Sequence, residues 1–287
     1  MKNIVWLASY PKSGNTWLRV FLANLLSDGT KPFPIDHLSR VIPNAAARSA
    51  FDAELGIDSD DLHFDECDRL REGYHRFVSG KAASVLYYKI HDAFSFLPDG
   101  CCLIPRDATR NAIYLIRNPL DVAVSYANHS AIGLDRAIDW INSEKVSLCG
   151  DSRRSHNQLR QRLLSWSGHV RSWTERNCGF EVHVMRYEDM KQDPETVFTQ
   201  AVRFVGMDVS ADRIRKAMAF SGFEELKRQE EQNGFVEKPM QCGSFFHKGE
   251  TGSWRAALSR DQALRIIRRH RDTMDRFGYL KNGEPVY

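Results

Sequence analysis

Four short runs rich in β-branched or aromatic residues, Ile4 to Ala8, Ala83 to Lys89, Asn111 to Arg117 and Glu181 to Tyr187, alternate along the chain with stretches of helical period. The runs read as buried strands. Between the first two, Trp17, Phe21 and Leu25 recur with Leu18, Leu22 and Leu26 on one helical face. Further helical patterns run from Pro119 to about Ser130, Leu159 to Arg176, Pro194 to Val205 and Asp261 to Phe277. Strands that alternate with helices cannot close their hydrogen bonds by hairpins, so the chain is predicted to be α/β, with a central, mostly parallel sheet flanked by helices.

The chain has 287 residues without an internal repeat, and at that length it can bury roughly 75% of its unfolded surface, so no disulfide or metal is needed to hold a core. We expect a single domain over residues 1–287. Two segments lack clear period. One is Lys31 to Asp61; the other, Lys227 to Thr251, is expected to form a mobile lid over a site, about residues 227–251. The balance of 40 Lys and Arg against 37 Asp and Glu is too even for a dedicated nucleic-acid binder. None of the six cysteines stands in a Cys-x-x-Cys pair, which favours free thiols in a reducing compartment. The apolar run at Ile4 is too short for a signal peptide, and no stretch reaches the ~18 apolar residues of a membrane span, so a cytoplasmic location is expected.

The chemistry concentrates where strands end. Tyr10-Pro11-Lys12-Ser13-Gly14-Asn15-Thr16-Trp17 joins the first strand to the first helix. Small residues there let backbone N–H groups converge on an anion, the helix N-terminus adds its positive dipole end, and Lys12 adds a full charge. By composition alone an anion cradle and an ordinary βα turn both remain open. The order also departs from a nucleotide-triphosphatase loop, where Gly-Lys is followed by a magnesium-binding Ser or Thr.

Arg117-Asn118-Pro119 repeats the layout, with Asn118 as helix cap and Pro119 where a missing N–H costs nothing. Arg117 would stand at a strand's carboxyl end, and Ser125, about two turns into the helix, could reach the same anion. Taken alone, Arg117 reads more readily as a solvated strand end and Ser125 as a small packing residue. At Lys89-Ile90-His91, period-2 alternation puts Lys89 and His91 on one side, and an unperturbed His can take a proton from a hydroxyl near neutral pH. The stretch from Phe245 to Arg255, with His247, Lys248, Gly249 and Gly252, suits either a phosphate flap or a plain glycine turn.

Taken together and in this order, these motifs resemble the sulfotransferases that use 3′-phosphoadenosine 5′-phosphosulfate (PAPS). The Lys12 loop is similar to that family's 5′-phosphosulfate loop, with Asn15 where Thr is commoner. Lys89-Ile90-His91 resembles its Lys-x-His, Arg117 through Ser125 its 3′-phosphate segment, and Lys248-Gly249-x-x-Gly252-x-Trp254 its C-terminal flap. The resemblance implies a P-loop-like donor site formed by Lys12, Ser13, Gly14, Asn15, Thr16, Trp17, Arg117, Ser125, Tyr187, Ser221, Phe223, His247, Lys248 and Gly249. Trp17 and Phe223 would flank the adenine, and Tyr187 would lie on its side. His91 is implied as general base, Lys12 and Lys89 as the cations that stabilise the departing phosphate, and Ser125 as a group that tunes Lys12. PAPS would be the donor, the bisphosphate PAP the product, and no metal would be required.

Four departures stand out. His247 replaces the usual Arg, which implies a weaker or pH-dependent phosphate contact, and Ser253 replaces an Asp. The N-terminal extension of animal cytosolic members is missing, and so is their dimerisation segment. These features tilt the resemblance toward bacterial members that modify natural products. The acceptor is expected to be a small-molecule hydroxyl or amine, by that tilt a natural product, held between Lys31–Asp61, Ile132–Asn157 and the lid near Phe235, with neither nucleic acid nor membrane as partner. The alternatives are a P-loop small-molecule kinase, which would need an acidic metal ligand, and a nucleotide- or nucleic-acid-binding protein using the basic helix around Arg265 to Arg271.

Overall fold

The computed structural model describes residues 2–151, 156–246 and 249–286. Its centre is a four-stranded parallel sheet built from β1 (Ile4–Ser9), β2 (Leu86–Ile90), β3 (Thr109–Ile116) and β4 (Glu181–Arg186), in the spatial order β2-β1-β3-β4. Period-2 alternation splits the strand residues between two cores. Val5, Leu7, Ile113, Leu115 and Met185 face one side, and Ile4, Trp6, Ala8, Ala112, Tyr114 and Ile116 face the other. Both faces are covered, as an apolar parallel sheet requires.

On the first face lie α1 (Asn15–Ser27), through Leu18, Phe21, Leu22 and Leu25, and further along the chain the helix Pro194–Phe204, through Phe198 and Val202. On the second lie α2 (Pro119–Ser130), through Leu120 and Val122, α3 (Trp166–Thr174), through Trp166 and Trp173, and the C-terminal helix Arg260–Arg276, through Ile266 and Met274. The predicted α/β class holds.

Three segments differ from expectation. The pattern read as one helix from Leu159 instead contains a two-residue ladder, Gln161–Arg162 against Ser147–Leu148. Leu164 takes a left-handed φ of 61°, and Ser165 then caps α3 through the Gly168 N–H at 3.0 Å, so the helix cannot start earlier. The segment 31–61 holds short helices, among them Arg48–Leu55, and is followed by an unanticipated helix, Phe64–Lys81, whose start is secured by the His63 N–H donating to Glu66 at 2.8 Å. Residues 227–233 are the end of the helix α4 (Phe223–Asn233), so irregular chain begins only at Gly234.

Parallel strands bring their carboxyl ends to one edge. Ala8 pairs with Ile90, Ser9 with Leu115 and Ile116 with Arg186, so the residues that follow each strand, Tyr10–Gly14, His91, Arg117 and Tyr187, emerge side by side.

Candidate active site

The loop after β1 is strained in the way a site is. Lys12 has φ 70° and Gly14 φ 97°, and a left-handed conformation costs a residue with a side chain about 1–2 kcal/mol. At Gly14 no side chain fits, because a Cβ would lie 2.7 Å from Cδ2 of Tyr187. No side chain caps the N-terminus of α1, so its first turn keeps donors for an anion, and the buried Ser13 hydroxyl has no partner among the described residues. Asn15 turns the other way: its amide donates to the Leu7 carbonyl at 2.8 Å and to Ser9 Oγ at 3.2 Å, tying the loop to β1. Lys12 Nζ stands 4.5 Å above the Phe245 ring. Burial pulls its pKa down to about 8, with Arg117 and Lys89 adding to the effect and Cys242 opposing it.

His91 follows β2 and is fixed from two sides. Its Nδ1 lies 2.8 Å from the Ser9 carbonyl oxygen, and its own carbonyl receives His169 Nε2 at 3.0 Å. His169 in turn meets the Tyr114 hydroxyl through Nδ1 at 2.8 Å. Burial, and then the nearby Lys89 charge, hold His91 well below the ordinary histidine pKa, so it is neutral at pH 7. Lys89 is placed beside it, as the alternation predicts, but its charge is not free. Its ammonium is 3.0 Å from the Glu237 carboxylate, which also accepts from the buried Arg19 at 2.8 and 2.9 Å.

Arg117 leaves β3 and bonds to backbone on both sides. It donates to the Lys12 carbonyl at 3.2 Å and the Glu250 carbonyl at 2.8 Å, and its guanidinium lies 4.3 Å from the Tyr187 ring centroid. Ser125 lines the same cavity from α2. Trp17 meets Tyr187 edge-on at 6.2 Å, so Thr16, Trp17 and Tyr187 form one wall. Opposite, the Phe223 ring packs on Gly249, where a Cβ would come within 2.5 Å of it. Ser221 sits behind, with its hydroxyl donating to the Met218 carbonyl at 3.1 Å. His247 and Lys248 lie outside the described residues.

These groups border one cavity of 1410 Å³. Asn44 and Ala47 from the 31–61 segment, Leu134 and Asn157 from 132–157, and Val236 from the lid form its far wall, the three stretches where an acceptor was expected. Several residues that hold the site were not anticipated. Asp121 accepts from the Gly252 and Trp254 N–H groups at 2.7 and 3.0 Å and pins the flap to α2. Glu230 accepts from the Phe245 and Phe246 N–H groups at 2.7 and 2.9 Å and ties that segment to α4. Arg19 had a visible signal: a lone cation inside the apolar run of α1 must find a buried partner. Among the described residues no group of three His, Cys, Asp or Glu side chains is arranged to hold a metal, and no helix is long and apolar enough to cross a membrane.

The sulfotransferase domain family model matches residues 2–278 of the chain. The chain is 25% identical over 286 residues to the amine sulfotransferase of Oryctolagus cuniculus, which covers 95% of this chain and 81% of the relative. It is 24% identical over 273 residues to sulfotransferase 1A1 of Rattus norvegicus, covering 93% and 83%. Among solved structures it is similar to retinol dehydratase in complex with androsterone and the inactive cofactor PAP, with a TM-score of 0.65, 19% identity and coverage of 95% and 81%. A mouse sulfotransferase complexed with PAP gives a TM-score of 0.61 at 19% identity, covering 96% and 84%. At such identities the structures establish a shared fold.

Proposed function

The chain belongs to the sulfotransferase family, and from that premise we propose that it moves a sulfuryl group from PAPS to a hydroxyl or amine of a small molecule. The observation that carries this reading is the convergence of the strained Lys12 loop and a neutral, fixed His91 on one cavity. The kinase and nucleic-acid readings lose their ground with the family match.

The residues present suit the donor. A glycine cradle that a Cβ would fill, a buried unpartnered Ser13 hydroxyl, an uncapped helix start and a buried lysine together describe a site for a multiply charged anion. PAPS supplies an activated sulfuryl group on a phosphate leaving group. His91, with Nδ1 held by Ser9, takes the acceptor's proton on Nε2. Lys12 and the N–H groups that open α1 stabilise the negative charge that gathers on the leaving phosphate, and Lys89 stabilises the bridging oxygen. Arg117 and Ser125, with His247 and Lys248, serve the 3′-phosphate; Trp17, Tyr187, Ser221, Phe223 and Gly249 enclose the adenine.

The acceptor we propose is a natural product that fits beside the donor within 1410 Å³. The six free cysteines support work in a reducing compartment such as the cytoplasm. The test is a screen of phenols, alcohols, amines and glycosides with labelled PAPS, run with and without EDTA. Label transfer that is indifferent to EDTA is the expected result; failure of every acceptor, together with no binding of PAP, overturns the reading.

A further inference from the structure

We propose that Glu237 is a positioning residue for this reaction: from the lid it fixes the Lys89 ammonium and supplies its counter-charge through a two-pronged hold on Arg19. The inference rests on the sulfuryl-transfer reading for its purpose but not for its geometry.

The anchor is Arg19. Its side chain is fully buried on α1, and one amino group donates to the Ile42 carbonyl at 2.9 Å, so the guanidinium cannot swing. Its two amino groups reach separate oxygens of Glu237, at 2.9 Å to Oε2 and 2.8 Å to Oε1. Two parallel contacts fix a carboxylate in rotation as well as in place. The Oε2 oxygen also accepts from Lys89 Nζ at 3.0 Å, so the lysine is aimed by a chain of contacts that begins in the core.

The lid delivers Glu237 to this point by its neighbours. Phe235 is buried among Ile35, Leu38 and Leu226, and the Val236 N–H donates to Asp36 at 3.3 Å. Lid seating and the completion of the Lys89 contact are therefore one event.

Charge explains why the contact is needed. Lys89 faces Arg19 from α1, Lys12 from the loop after β1, His91 from just beyond its own strand and His129 from α2. Among the described residues the carboxylate that faces it is Glu237. Burial pulls the Lys89 pKa down and Glu237 pulls it back up, so without that carboxylate a buried ammonium would sit among cations and shed its proton at lower pH. In the reverse direction, burial raises the Glu237 pKa, but Lys89 and Arg19 outweigh it and hold the group well below the usual carboxylate range. The Glu237 carboxylate is thus ionised throughout the neutral range.

A rival role has Glu237 as a plug that occupies the sulfuryl position and is expelled by the donor. The two roles move different observables. The experiment labels lysine at Cε, follows its carbon NMR signal against pH in the donor-free protein, and assigns Lys89 by its loss in Lys89→Arg. Glu237→Gln should lower the Lys89 midpoint by about one pH unit or more, and Glu237→Asp should recover part of the shift. Because Glu237→Gln leaves Arg19 unpaired, the double variant Arg19→Met with Glu237→Gln is measured beside it. It removes both charges and should still show a lowered midpoint. In turnover, Glu237→Gln should lose about tenfold or more in kcat with KM for PAPS nearly unchanged. An unmoved Lys89 midpoint in both variants, or a lower KM with kcat kept, overturns the proposal. Calorimetry of PAP with the wild-type protein separates the failures: absent PAP binding sinks the functional reading, whereas the Lys89 titration stands or falls by itself.

Discussion

The Nδ1 atom of His91 lies 2.8 Å from the carbonyl oxygen of Ser9, and since that oxygen only accepts, the imidazole carries its proton on Nδ1 and keeps Nε2 bare. A base needs that tautomer, and it also needs to be uncharged. Burial and Lys89 supply the second condition by lowering the His91 pKa well below 6.5. The group is neutral above its lowered pKa and protonated only below it. The acid limb of kcat/KM should therefore lie well below pH 6.5. A limb centred at or above 6.5 would show that His91 is not held in this environment.

Lys12 governs the alkaline side. With its pKa lowered to about 8, the ammonium is present below that pH and lost above it. PAP affinity, measured by calorimetry, should fall about tenfold between pH 7 and 9. Lys12→Arg should flatten the profile, because a guanidinium does not titrate there. A wild-type affinity that does not change across this range would remove Lys12 from the anion site.

At Gly14 the conformation and the space both exclude a side chain. With φ 97° and a Cβ position 2.7 Å from Tyr187, Gly14→Ala should cost about 2–4 kcal/mol in urea unfolding and weaken PAP binding by displacing Tyr187. Stability and affinity equal to wild type would contradict the close approach.

Asp121 holds the flap by two backbone N–H groups, and Ser253 adds its hydroxyl at 3.0 Å. Asp121→Ala leaves those donors without an acceptor. It should weaken PAP binding about tenfold or more while moving the unfolding midpoint little, since the flap lies outside the sheet. A large loss of stability with unchanged affinity would make the contact structural.

Local pattern carried much of the fold and part of the site. The helix read from Pro119 to Ser130 has those bounds, because Asn118 caps it, with Leu120 N–H donating to its side chain, and Pro119 opens it. The four strands lie within a few residues of their expected ends, since each is marked by its own side chains. That Lys12, His91, Arg117 and Tyr187 would meet at one edge was legible, because a parallel sheet collects its strand ends there. The Glu237–Arg19 contact was not, since it joins residues 218 positions apart and a lid carboxylate reads as a solvated charge. Likewise, nothing local to Lys89-Ile90-His91 marks a partner for the Lys89 charge, and its counter-charge comes from Glu237, far along the chain.

The most direct measurement follows labelled sulfuryl transfer from PAPS to a phenol in His91→Ala, beside calorimetry of PAP with the same variant. Turnover should fall by about 10²–10⁴-fold while PAP affinity stays close to wild type. Turnover equal to wild type in a variant that still binds PAP would contradict the account of His91 as the base.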